Sequence, residues 1–445
     1  MALLLAGSVI TASQAKVPVT EAERLTGELT PFGAIRAGNP DGTIPAWTGG
    51  ITTPPPGYRP GTHHLDPFAD DRPLFTITAD NLDQYSAQLS PGQIAMFRRY
   101  PETWQMPVYP SRRSAAFPER IYERSIANAT TAVLTDDGNG VASAAQGIPF
   151  PIPQNGLEAI WNHLLRYRGE TIQRETVQVT PTAGGDYTEV RIDEKAIYPY
   201  AQSGASVATI GNRLAYFVQE VKAPPRLAGT ILLVHETLDQ KREPRSAWTY
   251  NPGQRRVRRA PNIAYDNPGT ASDGQRTSDQ LDMFNGAPDR YVWNLLGRRE
   301  MYIPYNSYRL HSDRLTHADI IEPGHIDPEY TRYELHRVWE VDARLKDGTR
   351  HIYSRRTLYL DEDSWQIVVA DHYDSRGELW RVAEAYTINY YENPLIWETL
   401  FSVYDLQNGR YLAFGLNNEL EIDRFGIELQ VIDFTPDALR RLGRR

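Results

Sequence analysis

The stretch Trp365–Tyr390, WQIVVADHYDSRGELWRVAEAYTINY, decides the fold class. Trp365, Ile367 and Val369 alternate with polar or small neighbours, and Trp380, Val382, Tyr386, Ile388 and Tyr390 share one parity further on. Period-two patterning of this kind marks strands, and Ser375-Arg376-Gly377 between the runs marks a turn. A connection that short joins antiparallel neighbours, because a parallel crossover needs a dozen or more residues. The opposite parity is partly apolar as well, through Val368, Ala370, Leu379 and Ala383, so both faces expect cover.

Working outward, the same pattern recurs over 333–342, 350–360, 400–406 and 410–416, punctuated by Gly348, Asp361-Glu362-Asp363 and Asn408-Gly409. Upstream it is found over 176–180, 187–192, 214–221, 229–238, 247–250, 255–258 and 293–302, with Asn251-Pro252-Gly253 as a strong turn signal. A polar loop runs from Ala260 to about Gln280. Helical signals come earlier: near Thr78–Leu82, over Ser90–Tyr100 with Pro91 in the first turn, and over Asn155–Tyr167, where Leu157, Ile160, Trp161, Leu164 and Leu165 recur at helical spacing. The expected fold is therefore mainly β with covering helices (α+β), a large curved antiparallel sheet forming an open half-barrel.

Residues 1–15 form an apolar run closed by Ala12-Ser13-Gln14-Ala15, which reads as a secretory signal peptide. It is too short to span a bilayer, which takes about 20 residues. No Cys stands at that point to carry a lipid, so the mature protein is expected to be soluble and periplasmic, at most peripheral to the outer membrane. Residues 16–63, rich in Pro and Gly, read as an extended strap anchored by Ile44-Pro45-Ala46-Trp47. Residues 64–435 follow as a single β-rich domain, its N-terminal helices within about 78–170, and 436–445 as a basic tail.

The 445 residues contain no Cys, which excludes disulfides, thiol catalysis and thiolate metal sites. A net charge of -9 offers no general attraction to nucleic acid. Twenty-six Tyr and 9 Trp suit amphipathic sheets or a groove for something greasy. The chain has no phosphate-binding Gly loop before a helix, no nucleophile elbow and no H-E-x-x-H. His311, Asp313, His317, Asp319, Glu322 and His325 are spaced too loosely for a metal motif. Asp273, Asp279 and Asp282 lack the calcium-loop spacing. Glu334, Glu340, Asp342 and Asp371 offer carboxylates without a defining pair. No cofactor, no resident metal and no catalytic residue are expected. Four Arg within 255–259 form either a charged edge or a contact for an anionic head group.

Long motifs carry a resemblance: Gly38–Gly50 (GNPDGTIPAWTGG), Trp248–Pro261 (WTYNPGQRRVRRAP), Tyr265–Gly274 (YDNPGTASDG), Glu300–Asn306 (EMYIPYN), Asp363–Ile367 (DSWQI) and Gly377–Arg381 (GELWR). Together they resemble the proteobacterial family called domain of unknown function 1329, often labelled outer-membrane lipoprotein-sorting protein. The resemblance implies an architecture similar to the periplasmic lipoprotein carriers and outer-membrane lipoprotein receptors, a curved sheet closed by helices around an apolar cavity. It implies a binding or carrier protein for a lipid, an acyl chain or a sterol-like compound, without covalent chemistry. An inner-membrane exporter and an outer-membrane protein are the partners it suggests. The alternative is a non-catalytic interaction subunit of an export complex of the resistance-nodulation-division type; a hydrolase is the third reading. Ligand contact is expected from Trp339, Trp365, Trp380, Tyr386 and Tyr390, with Arg256 and Arg258 on one strand face for a head group.

Overall fold

The structure is a computed structural model that describes residues 16–135, 137–260, 263 and 265–443. The expected signal peptide, 1–15, and the last two residues of the expected tail lie outside the described residues.

The strands follow the period-two reading. First come β1 (Phe75–Ile77) and β2 (Met106–Tyr109), then a separate small hairpin of β3 (Val133–Leu134) and β4 (Val141–Ala142). A first meander comprises β5 (Thr171–Val179), β6 (Val190–Ile197), β7 (Arg213–Ala223), β8 (Ile231–Thr237), β9 (Ser246–Asn251) and β10 (Arg256–Arg259). A second comprises β11 (Tyr291–Pro304), β12 (Tyr333–Leu345), β13 (Arg355–Asp361), β14 (Ile367–Tyr373), β15 (Leu379–Asn389), β16 (Ile396–Asp405) and β17 (Tyr411–Leu416), and β18 (Arg424–Phe425) ends the series. The meanders join where β17 pairs antiparallel with β5, Ala413 opposite Val179. The result is one 16-stranded sheet.

Its shape corrects the expected half-barrel. The order runs openly from β1 to β10, those two end strands are not paired with each other, and the described strands form no closed or curled sheet. Nor is the pairing purely antiparallel: β2 lies parallel to β12, Tyr333 opposite Val108. The short-turn argument applies to neighbours in sequence, whereas β2 and β12 are joined by a connection long enough for any crossover. The physical reason for an open layer is that both faces of the second meander are filled by side chains. Ala383, Ala385, Phe401 and Val403 face one apolar cluster, with Trp161 and Trp365. Val382, Tyr386, Leu400 and Tyr404 face another, with Phe97, Trp104 and Met106.

Two helices clamp these faces. In Pro91–Arg99, Ser90 Oγ accepts from the Gln93 amide while the Gln93 side chain accepts from Ser90, a reciprocal cap. Asp371 of β14 then accepts from Ser90 Oγ at 3.0 Å and the Gly92 amide at 3.1 Å, which pins the helix to the sheet. On the other face, Asn155 caps Gly156–Leu165. His163, buried in that helix, accepts from the Ile367 amide through Nδ1 at 3.2 Å and donates through Nε2 to the Asp282 carbonyl at 2.9 Å. Burial and the Arg166 charge push its pKa down to about 3, consistent with this neutral tautomer.

Residues 16–63 run across the domain rather than away from it. Val17, Leu25 and Leu29 pack with Ala129, Phe32 lies 4.5 Å from Phe117, and the Ile51 amide donates to the Ser114 carbonyl. At the other end of the chain, Pro436–Leu442 is a helix whose Leu439 packs on Val218, Ile231 and Leu233. An unanticipated helix, Glu119–Ala129, lies beneath the strap.

Gly33 sets how closely the strap can approach. Its φ is +84°, and a Cβ there would stand 1.7 Å from the Pro151 carbonyl oxygen. Gly33→Ala is therefore expected to cost about 3 kcal/mol. Gly42→Ala has a similar φ of +70° but open space around it. It should cost only about 1 kcal/mol. Urea denaturation of the two variants checks the contrast; equal losses would remove the close approach as the cause.

Candidate functional site

Strand register builds the site. Ile172 lies opposite Ala196, Ala196 opposite Phe217, and Phe217 opposite Val234, an apolar row across β5 to β8. One step along, Arg174 faces Glu194, Glu194 faces Gln219, Gln219 faces Leu232, and Leu232 faces Thr249. Both rows line a cavity of about 410 Å³. Trp161 and Leu164 of the 156–165 helix wall it, Leu281 comes from the loop between β10 and β11, and β16 adds Trp397 and Glu398. That volume falls within the range of small-molecule sites, about 300–1,000 Å³.

The loop holding residues 265–286 is fixed by ion pairs and hydrogen bonds. Asp282 binds Arg166 and, at 2.6 Å, Arg168; Asp279 binds Arg356 at 2.6 Å. Gln178 donates to the Ala271 carbonyl at 2.8 Å, and the Gly269 amide to the Arg276 carbonyl at 3.0 Å. Burial works against ionised Asp282, but the two guanidiniums outweigh it and hold the carboxyl at about 2.

Charge flanks the apolar row, with Arg174 and Glu194 to one side and Glu236, two residues beyond Val234, to the other. Arg174 pairs with Glu194 at 2.6 Å, and Gln219 donates to the other Glu194 oxygen at 2.7 Å. Arg245 pairs with Glu236 at 2.7 Å. Arg276 and Glu398, both on the lining, make no ion pair among the described residues, and Arg276 Nε and Glu398 Oε2 are buried without a hydrogen bond. Burial lowers Arg276 to about 10. Burial, then the nearby Asp282 charge, raises Glu398 to about 8.

The residues singled out from sequence lie elsewhere. Trp365 is fully buried, donates to the Phe32 carbonyl at 2.9 Å and stacks with Trp339 at 5.8 Å, so the strap and the two indoles form one packed group. Trp380 donates to Asp405 at 2.9 Å beneath Arg381. Tyr386 donates to Glu384 on the opposite face. Tyr390 lies against His64, 4.2 Å between centroids. Arg256 and Arg258 are exposed on β10, at the edge of the sheet. None of the seven lines the cavity.

The loosely spaced His and Asp residues are separated too. His311 meets His64 at 3.1 Å, His317 meets Glu189 and Glu419, and His325 meets Thr103. Asp273, Asp279 and Asp282 each turn to a different arginine. Glu334 is bound by Arg332 and His336, whereas Asp342 takes Arg344 and Arg355. The cavity charges were missed because each is unremarkable alone. One signal was present: Glu194 shares its parity with the apolar Val190, Ile192 and Ala196 of the same strand.

The family described as "Protein of unknown function (DUF1329)" matches residues 76–440, and the chain belongs to that family. An uncharacterized protein of Pseudomonas aeruginosa, PA3922, is 51% identical over 432 residues, covering 97% of this chain and 95% of its own length. Among solved structures, a Vibrio parahaemolyticus domain assigned provisionally to outer membrane lipoprotein sorting is 14% identical. It covers 64% of this chain and 98% of its own, with a TM-score of 0.45. A DUF1329 family protein from Desulfovibrio piger is also 14% identical, covering 61% and 92%, with a TM-score of 0.42.

Glu398 gives the site a pH signature. Its folded carboxyl is raised to about 8 from an ordinary 4.5, so the folded chain keeps a proton that the unfolded chain releases. Stability falls as pH rises through that window. Glu398→Gln removes the penalty and should gain up to about 4 kcal/mol over the native chain at pH 8, fading towards pH 4. Denaturation curves at the two pH values measure it; a gain that does not change with pH would contradict the assignment.

Proposed function

We propose that this DUF1329 member is a periplasmic binding or carrier protein for a hydrophobic ligand, a lipid, acyl-chain or sterol-like compound, acting in cell-envelope transport without covalent chemistry. The observation that carries the reading is the apolar row Ile172, Ala196, Phe217 and Val234, aligned by strand register along a cavity that Trp161, Leu164 and Trp397 continue. Burying a methylene is worth about 0.8 kcal/mol, so a 12-carbon chain gains up to about 10 kcal/mol before ordering costs. Affinity of that origin needs no tight polar motif, in keeping with the absence of one from the sequence.

The apolar run over 1–15 with its small-residue end supports export. No helix among the described residues is long and apolar enough to cross a membrane. Handover to an inner-membrane exporter and an outer-membrane protein belongs to the same proposal. We assign ligand contact to the cavity, and to Trp339, Trp365, Trp380, Tyr386 and Tyr390 the packing described above.

Nile red, a neutral apolar dye, tests the cavity directly. The native chain should bind it saturably at one site with blue-shifted emission. Phe217→Glu, which places a charge in the apolar row, should weaken binding at least about tenfold. Arg256→Ser, on the exposed edge, should leave it unchanged. Absence of saturable binding, or a Phe217→Glu variant that binds like the native chain, would overturn the assignment.

A further inference from the structure

Arg276 differs from the other arginines at the cavity. Arg166 and Arg168 share Asp282, Arg174 has Glu194, and Arg245 has Glu236. Arg276 is only 3% exposed, yet it makes no ion pair among the described residues. Its Nε has no partner, and its Nη1 has only a long 3.4 Å hydrogen bond to the Thr277 carbonyl. The Phe414 ring, 5.7 Å from the guanidinium carbon, is its other neighbour of note. A buried guanidinium left in this state costs several kcal/mol, so an arrangement that retains it points to a partner supplied from outside.

That partner has to reach Arg276 through the cavity, whose lining the residue shares with the apolar row. Glu398, also on the lining, has an oxygen without a partner. Burial and the nearby Asp282 charge raise its carboxyl, which favours the neutral acid, a form able to donate a hydrogen bond to a ligand rather than neutralise Arg276. Arg276 and Glu398 thus bring an unpaired cation and a carboxylic acid to the same lining as the apolar row Ile172, Ala196, Phe217 and Val234.

We infer that the cavity selects an amphiphile with a single anionic head, a carboxylate or phosphate monoester, held by Arg276 with its tail along Ile172, Ala196, Phe217 and Val234. This rests on the carrier reading and narrows it to a chemical class. A carboxylate or phosphate accepts from the guanidinium fork in two parallel hydrogen bonds and completes the missing ion pair. A cationic amphiphile would face Arg276 with like charge, and a neutral alcohol would leave it uncompensated.

Calorimetric titration at pH 7 with dodecanoate, dodecyl phosphate, dodecanol and dodecylammonium, each below its micelle concentration, separates the outcomes. Both anions should bind the native chain at least about tenfold more tightly than dodecanol, with dodecylammonium weakest. The ratio between the two anions distinguishes a fatty-acid source from a phosphate source. Arg276→Gln should bring the anions down to the dodecanol level while dodecanol changes less than about twofold; Arg276→Lys should keep part of the preference. If no probe binds, the carrier reading itself fails. If dodecanol binds as tightly as the anions, or the preference survives in Arg276→Gln, only the present inference is overturned. Should Arg276→Gln not fold, carboxyl-13C dodecanoate bound to the native chain decides: a carboxylate on Arg276 stays ionised below the pH range in which the free acid titrates. A bound carboxyl that titrates like the free acid overturns the proposal.

Discussion

A charge taken out of water costs several kcal/mol unless an opposite charge and hydrogen bonds replace the lost hydration. This constraint organises the molecule, because the sheet is covered on both faces and its interior positions still carry charge. Arg356 with Asp279, Arg381 with Asp405, Arg113 with Asp363 and Arg332 with Glu334 are all buried pairs. Arg356 with Asp279 joins a strand to a distant loop, so forming the pair and folding the loop onto the sheet are one event. Asp282 is the clearest case, since its pairing with Arg166 and Arg168 brings the 265–286 segment against the 156–165 helix. The cavity forms beneath that segment. Pairing is incomplete where Arg276 and Glu398 meet its lining.

Much of the second meander was legible because its signals are local. Alternation over 367–373 and 379–389, with Ser375-Arg376-Gly377 between, specifies two strands and their antiparallel pairing without reference to the rest of the chain. The caps at Ser90 and Asn155 and the apolar stripe of 156–165 are local in the same way. Family membership was legible too, through motifs spread along most of the chain. The overall shape was not. Whether a patterned sheet curls depends on what fills its two faces, and Val382 and Ala383 look alike in sequence although they join different clusters. The parallel β2–β12 contact has no signal in either strand.

The candidate site was the least legible part, again for a physical reason. Its pairs connect residues far apart in the chain; Arg166 and Asp282 are 116 positions apart. The absence of a partner at Arg276 is a property of three-dimensional placement alone. Aromatic residues drew attention instead, because Trp and Tyr contribute so much apolar area. In the fold, Trp365 and Trp339 spend that area on fixing the strap beside Phe32, and Tyr386 and Tyr390 on internal packing. The ligand-sized space lies between the first meander and the loop that follows it, where Ile172, Ala196, Phe217 and Val234 are joined by Trp161 and Trp397.

Mass spectrometry of organic extracts is the most direct test that the cavity carries a hydrophobic ligand. The protein, purified without detergent, would be compared with an unrelated protein of similar size handled identically. A compound with an acyl or similarly apolar tail, enriched near one equivalent per chain, is the expected result. Repeated extracts indistinguishable from the control, from protein that also takes up no apolar probe, would contradict it.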